Sequence, residues 1–135
     1  TVLVGPDSES RPWVESLARP LGLDVLVGEK VRNGDRDVTL AIPGIAAVAG
    51  RPAILVDDVV SSGTTLLTCA RLLLDAGATG VEAVATHALA SPADRARLSD
   101  GITRLRATDS TTNPVASIPL AGVLADAIRA QGWLD

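Results

Sequence analysis

Residues 53–76 read AILVDDVVSSGTTLLTCARLLLDA, and the fold follows from how this stretch is parsed. An apolar run, Ala53 to Val56, meets two adjacent carboxylates, Asp57 and Asp58. A turn of small residues comes next, Ser61, Ser62, Gly63, Thr64 and Thr65, and then a strongly apolar helical pattern. The stretch therefore reads as a buried strand, an acidic edge, a loop rich in backbone and hydroxyl donors, and a helix start. A helix start presents unpaired N–H groups and the positive end of the peptide dipoles, which suits a phosphate. Two carboxylates beside it suit the hydroxyls of a sugar or a magnesium ion.

On the N-terminal side, Thr1 to Val4 reads as a buried strand that runs directly into Gly5-Pro6-Asp7-Ser8. Domains rarely begin on a central strand, so further sequence is expected before it. Trp13, Val14, Leu17, Ala18 and Leu21 fall on one helical face, with Pro12 in the first turn and Pro20 and Gly22 as the stop. Trp13 reads as a core residue of that face. Leu23 to Val27 is a second strand. From Gly28 to Gly44 the chain turns polar and charge-dense, with Glu29, Lys30 and Arg32 followed by residues 33–37, and Val38, Leu40 and Ile42 then alternate with polar or small neighbours. The expectation is a mobile loop or hairpin standing off the sheet.

On the C-terminal side, Gly77 is placed to cap the helix, and Val81 to Thr86 is a further strand ending at His87. Ser91-Pro92-Ala93-Asp94 is a helix start, with a hydroxyl cap, a first-turn proline and an acidic residue three positions on. Thr103 to Ala107 is a strand, residues 108–113 a polar loop and Val115 to Ile118 a short extended piece. A last helix from Leu120 places Val123, Leu124, Ala127 and Ile128 on one face, with Gly132 closing it. Strands alternate with helices throughout, which gives one α/β domain over residues 1–135 with a largely parallel sheet flanked by helices. Right-handed crossovers bring the strand C-termini to one edge, so Asp7 to Ser10, Glu29 to Arg32 and Asp57 to Thr65 are expected to converge there.

Composition narrows the partners. The formal charge is −4, Trp13 and Trp133 are the only aromatic side chains, and neither fact fits a nucleic-acid binder. No apolar run is long enough to span a bilayer and no leader pattern is present, so a cytoplasmic protein is expected. The single Cys69 falls within a helical pattern and reads as a buried thiol. Lys30 is the only lysine among twelve basic residues. A chain that otherwise uses arginine has a compact ammonium at that position. Trp133 is read as covering the core or meeting a partner, His87 as a hydrogen-bonding structural residue, and Arg95, Arg97, Arg104 and Arg106 as solvated surface.

The string from Val56 to Thr65 resembles the binding signature of the phosphoribosyltransferase fold, a Rossmann-like architecture. Gly5-Pro6-Asp7, Glu29-Lys30-Val31-Arg32, Ala85-Thr86-His87 and the ending from Ile118-Pro119-Leu120 into Leu124-Ala125-Asp126-Ala127-Ile128-Arg129 extend the likeness. Taken in order, they resemble the C-terminal half of ribose-phosphate diphosphokinases, which make phosphoribosyl pyrophosphate (PRPP) from ATP and ribose 5-phosphate. The resemblance implies that Ser61, Ser62, Gly63, Thr64 and Thr65 hold the 5-phosphate and that Asp57 and Asp58 face the ribose. It implies Lys30 as the catalytic residue on the loop, Arg32 as its partner in substrate binding, and Asp7 as a ligand of Mg²⁺. It also implies a homo-oligomer in which ATP is held with a preceding domain or a neighbouring subunit, neither of which is in this chain.

Two departures carry weight. Relatives have glycines two and three positions after the aspartate matching Asp7, where this chain has Glu9 and Ser10. Glu9 adds a carboxylate where pyrophosphate should lie. The loop also has Ser61 where relatives often carry aspartate, and Ser62 for the usual threonine. Two alternative readings follow, a phosphoribosyltransferase that passes PRPP ribose to a nucleobase and a non-catalytic homologue that binds phosphorylated ligands.

Overall fold

The computed structural model describes residues 1–32 and 38–132, so the readings of Trp133 and of residues 33–37 lie outside the described residues. Along the chain run β1 (Val2–Gly5), a 3-10 turn (Ser8–Ser10), α1 (Arg11–Leu21), β2 (Asp24–Val27), β3 (Glu29–Arg32) and β4 (Val38–Ala41). After a second 3-10 turn (Ile45–Val48) come β5 (Pro52–Val60), α2 (Thr64–Asp75), β6 (Gly80–Ala88), α3 (Pro92–Leu98), β7 (Arg104–Thr108), β8 (Ala116–Ile118) and α4 (Ala121–Ala130).

Six strands form one sheet in the order β2-β1-β5-β6-β7-β8, every pair parallel, while β3 and β4 pair antiparallel as a separate ribbon. The α/β parallel sheet flanked by helices is thus as expected, and the charge-dense segment begins and ends as an antiparallel pair.

β5 lies inside the sheet, and its apolar run serves both faces. Ala53 and Leu55 belong to the larger core with Leu66, Cys69, Ala70 and Leu73 of α2. Ile54 and Val56 face the other way, with Leu3 and with Val14 and Ala18 of α1. This is the two-residue period of a strand placed between two layers. Leu55, Leu66 and Leu73 are 0–2% exposed, each adding about 1.5–3 kcal/mol of burial.

The helix ends follow local chemistry. Gly22, at φ 62°, closes α1, and the Leu23 N–H reaches the Ala18 carbonyl at 3.2 Å. Pro20 lies within the last turn of α1 rather than ending it, because a closing glycine and not the proline sets the reversal. Ser91 and Asp94 form a reciprocal capping box at the start of α3.

One apolar expectation comes out differently, and one apolar face stays uncovered. Trp13 is only part-buried at the edge of the smaller core. No residue of α4 is buried, with Val123 65%, Leu124 56% and Ile128 38% exposed. The helical period was legible, but the period does not say what covers the face. Among the described residues, no helix is long and apolar enough to cross a membrane.

Cys69 is fully buried, with its thiol 3.6 Å from the Pro6 carbonyl. Burial first, and the charges of Asp57 and Asp7 after it, push the thiol up to about 12. The folded protein should therefore resist a maleimide or disulfide reagent at pH 8 and react promptly once denatured. Mass spectrometry of the quenched reaction reads the outcome.

Candidate functional site

β5 reaches Val60, further than the apolar run implies, because β6 extends alongside it to Ala88 and pairs Asp57 with Ala85 and Val59 with His87. Asp57 and Asp58 therefore lie within the strand and not at its edge. The chain then turns through Ser61 and Ser62 to Gly63 at φ 71° and enters α2. Gly63 holds the cap position and has no side chain to cap the helix, and only the Thr64 N–H meets a side chain, donating to Ser62 Oγ at 3.5 Å. The amide donors at the start of α2 therefore face the loop cavity, about 200 Å³ lined by Asp57 and residues 59–66. The Ser62 and Thr64 hydroxyls lie 3.2 Å apart on its rim.

The two carboxylates have different surroundings. Asp57 is half-buried and its Oδ1 accepts from the Asp58 N–H at 3.0 Å. Burial raises its pKa to about 6; the Asp58 N–H opposes the shift, and the negative charges of Asp58 and Asp7 add to it. Asp58 is exposed, with Oδ1 accepting from the Val59 N–H at 2.7 Å. Asp57 lines the loop cavity and Asp58 does not. Both border a larger cavity of about 550 Å³ beside α1, together with Trp13, Leu17 and Ile118.

The β3–β4 ribbon brings Lys30 to the same edge. Gly28 anchors it: its N–H donates to the Gly5 carbonyl at 2.8 Å, and a Cβ there would meet the Pro6 carbonyl oxygen at 2.4 Å. Only glycine lets the ribbon start this close to the residues that precede Asp7. Lys30 lines two cavities. One, about 200 Å³, it shares with Thr39, Leu40, Thr64, Thr65 and Thr68. The other, about 400 Å³, it shares with Asp7, Ser8, Glu9 and Glu29. Arg32 is exposed two residues further on and lines neither.

Asp7 caps the 3-10 turn, its Oδ1 accepting from the N–H groups of Glu9 and Ser10 at 3.1 Å each. Ser10 is 2% exposed and its hydroxyl donates to the Asp7 carbonyl at 2.5 Å. Among the described residues, no three His, Cys, Asp or Glu side chains cluster closely enough to hold a cation. One or two carboxylates completed by substrate oxygens and water are nevertheless the usual donors for magnesium. The Asp7 carboxylate, with one oxygen committed to the turn, fits that role.

Two features escaped the sequence. Arg97 of α3 meets the loop, with Nη2 2.5 Å from the Ser62 carbonyl and Nη1 3.3 Å from the Thr64 hydroxyl, instead of lying free on the surface. The polar loop after β7 is tied to the end of β6: Thr111 and Asn113 donate to the Ala88 and Ala90 carbonyls at 2.9 and 3.0 Å. His87 is exposed, its Nδ1 2.8 Å from the Ser110 hydroxyl. The one local hint of Arg97 was its i,i+3 spacing from Asp94.

Residues 1–121 match the family model described as phosphoribosyl transferase domain. The chain is 34% identical over 129 residues to a ribose-phosphate pyrophosphokinase of Methanopyrus kandleri, covering 95% of this chain and 44% of that protein. A phosphoribosylpyrophosphate synthetase from Mycobacterium smegmatis superposes with a TM-score of 0.76 at 28% identity, covering 99% of this chain and 45% of the other. An orotate phosphoribosyltransferase from Aeropyrum pernix superposes with a TM-score of 0.63 at 21% identity, covering 99% of this chain and 66% of that one, and shares the fold. The chain spans somewhat under half the length of the curated relatives it matches.

Proposed function

This chain belongs to the phosphoribosyl transferase domain family, and on that premise we propose that it supplies the ribose 5-phosphate and PRPP site of a ribose-phosphate diphosphokinase. One observation carries the reading: three cavities are linked by shared lining residues. Thr64 and Thr65 are shared by the loop cavity and the first Lys30 cavity, and Lys30 is shared by that one and the Asp7 cavity. A sugar phosphate seated on residues 61–65 beside Asp57 would point its reacting end toward Lys30, with a polyphosphate beyond.

In this reading the helix start and the hydroxyls of Ser61, Ser62, Thr64 and Thr65 hold the 5-phosphate, and Asp57 accepts from ribose hydroxyls, with Asp58 beside it. The ribose 1-hydroxyl oxygen forms a bond to the β-phosphorus of ATP. The bond from that phosphorus to the oxygen bridging the α-phosphate breaks, AMP leaves, and the hydroxyl proton passes to solvent. Lys30, with Arg32, neutralises charge building on the phosphoryl oxygens. Mg²⁺, held by Asp7 and substrate oxygens, supplies further neutralisation when bound. ATP is held with a preceding domain or a second copy in a homo-oligomer, and the exposed apolar side chains of α1 and α4 support such an assembly. The location is cytoplasmic.

Calorimetry with ribose 5-phosphate and Mg²⁺ tests the site. Binding should be lost in Asp57→Ala; a parent that takes up no ligand would sink the reading. The pH profile gives a second handle. Asp57 accepts best when ionised, so affinity should climb between pH 5 and 7, with a midpoint near its value of about 6. The ligand phosphate also ionises near pH 6, so Asp57→Asn isolates that step and the difference profile belongs to Asp57. The stability sign is opposite. A carboxyl raised on folding contributes most below its ordinary value of 3.8, and this contribution is lost as pH rises through about 6. Melting temperatures of Asp57→Asn should accordingly depend less on pH across that window.

The second reading, a non-catalytic phosphate-binding homologue, draws on one observation. Asp7, Glu9 and Glu29 face Lys30 around the 400 Å³ cavity, and Asp7 has already taken the Glu9 and Ser10 amides. Glu9→Gln should raise PRPP affinity about fivefold, as expected for removing roughly 1 kcal/mol of exposed like-charge repulsion, and leave ribose 5-phosphate affinity unchanged. Equal effects on both ligands would remove the pyrophosphate from that cavity.

A further inference from the structure

The phosphate loop is gripped from one side by α3. Leu98, 1% exposed, packs against Gly63. The residue before it, Arg97, donates from Nη2 to the Ser62 carbonyl at 2.5 Å and from Nη1 to the Thr64 hydroxyl oxygen at 3.3 Å. Asp94 lies 3.2 Å from Nη2 and is itself held by Ser91, through N–H and hydroxyl donors at 3.2 and 2.6 Å. The guanidinium is thus aimed at the loop by its own helix.

We infer that Arg97 is a positioning residue for the phosphate ligand, which turns the Ser62–Thr64 hydroxyl pair into hydrogen-bond donors toward a phosphomonoester. The inference rests on the reading that this loop takes ribose 5-phosphate. A hydroxyl has one hydrogen and two lone pairs, whereas a guanidinium only donates. The Arg97 N–H occupies a lone pair of Thr64 Oγ1, so the Thr64 hydrogen turns away from the arginine, toward the ligand or toward Ser62, 3.2 Å away. If it goes to Ser62, the Ser62 hydrogen is the one released. Either way the pair has a hydrogen to give, which is what a phosphate oxygen requires.

Arg97 also covers the Ser62 carbonyl, a partial negative charge in the wall of an anion site. Lysine can keep the ion pair with Asp94 but lacks the planar fork that bridges a carbonyl and a hydroxyl together.

The experiment is a titration of ribose 5-phosphate into the parent chain and into Arg97→Gln, Arg97→Lys, Thr64→Ala and Arg97→Gln/Thr64→Ala, with melting temperatures alongside. Arg104→Gln removes the same charge at the exposed first residue of β7 and serves as the control. Arg97→Gln should weaken binding about 10- to 100-fold, the range for a lost charge-assisted hydrogen bond. Arg97→Lys should melt like the parent and still bind at least fivefold more weakly, and Arg104→Gln should bind as the parent does. In the double variant the Arg97 loss should shrink to a small residual, because its route through Thr64 is gone.

Full recovery of affinity in Arg97→Lys, or strict additivity in the double variant, would overturn the inference and leave Arg97 as a structural ion pair. So would Arg97→Gln binding within twofold of a parent that binds well, with the functional reading standing. A parent that does not bind ribose 5-phosphate defeats both.

Discussion

Gly63→Ala is expected to lower the stability of the protein by about 2–4 kcal/mol and to remove most ribose 5-phosphate binding. The residue has φ 71°, where an added Cβ costs about 1–2 kcal/mol. That Cβ would also lie 2.7 and 2.8 Å from the Cδ atoms of Leu98 and 3.0 Å from its Cγ. Leu98 is 1% exposed and cannot swing aside into solvent, so the loop must move instead. Overpacking of this kind costs roughly a further 1–3 kcal/mol. The loop that moves is the one carrying the donors at the start of α2. Thermal melting should show a drop of roughly 10 °C, and calorimetry the lost binding. Adding Leu98→Ala relieves the contact but not the backbone strain, so the double variant should regain only part of the affinity. A Gly63→Ala protein that binds as well as the parent would show that the loop is not the phosphate site.

If the proposed function holds, Lys30→Ala should slow AMP formation from ATP and ribose 5-phosphate by about 10²–10³-fold, the cost of removing one preorganised charge contact to the transition state. The Michaelis constant for ribose 5-phosphate should move by only a few-fold. On the proposed reading the sugar phosphate is held chiefly at the loop, while Lys30 borders the cavities on either side of the expected transfer point. Charge on the phosphoryl oxygens grows along the reaction coordinate, so its loss appears in turnover more than in binding. Lys30→Arg should restore only a fraction, because a planar fork does not substitute for a compact ammonium. Turnover unchanged in Lys30→Ala would exclude a catalytic role for the residue, whereas a parent that forms no AMP would favour the non-catalytic reading.

Much of the local architecture was readable because it is written over short distances. The capping box of Ser91 and Asp94 spans three residues, and Gly22 and Gly77 both take the positive φ expected beyond a helix end. The apolar runs at residues 1–4, 53–56 and 81–86 all became strands of one parallel sheet. Misreadings of extent have a common cause. β5 extends through two aspartates because β6 supplies backbone partners as far as Ala88, which no property of residues 57–60 reveals. Trp13 and α4 carry apolar faces that periodicity detects, yet periodicity does not supply a covering layer.

The amino-acid sequence alone determined the α/β alternation, the loop of donors after a buried strand, and the singular Lys30. These depend on periods of two and 3.6 residues, on caps, and on side-chain chemistry at fixed offsets. Tertiary structure decided which charges meet. It gave Asp57 and Asp58 different surroundings, with Asp57 half-buried on the loop cavity and Asp58 exposed. It set Lys30 between two cavities through an anchor at Gly28, and brought Arg97 across 35 residues to the Ser62 carbonyl. Contacts of that separation arise from the packing of layers, and they leave no periodic mark on the chain.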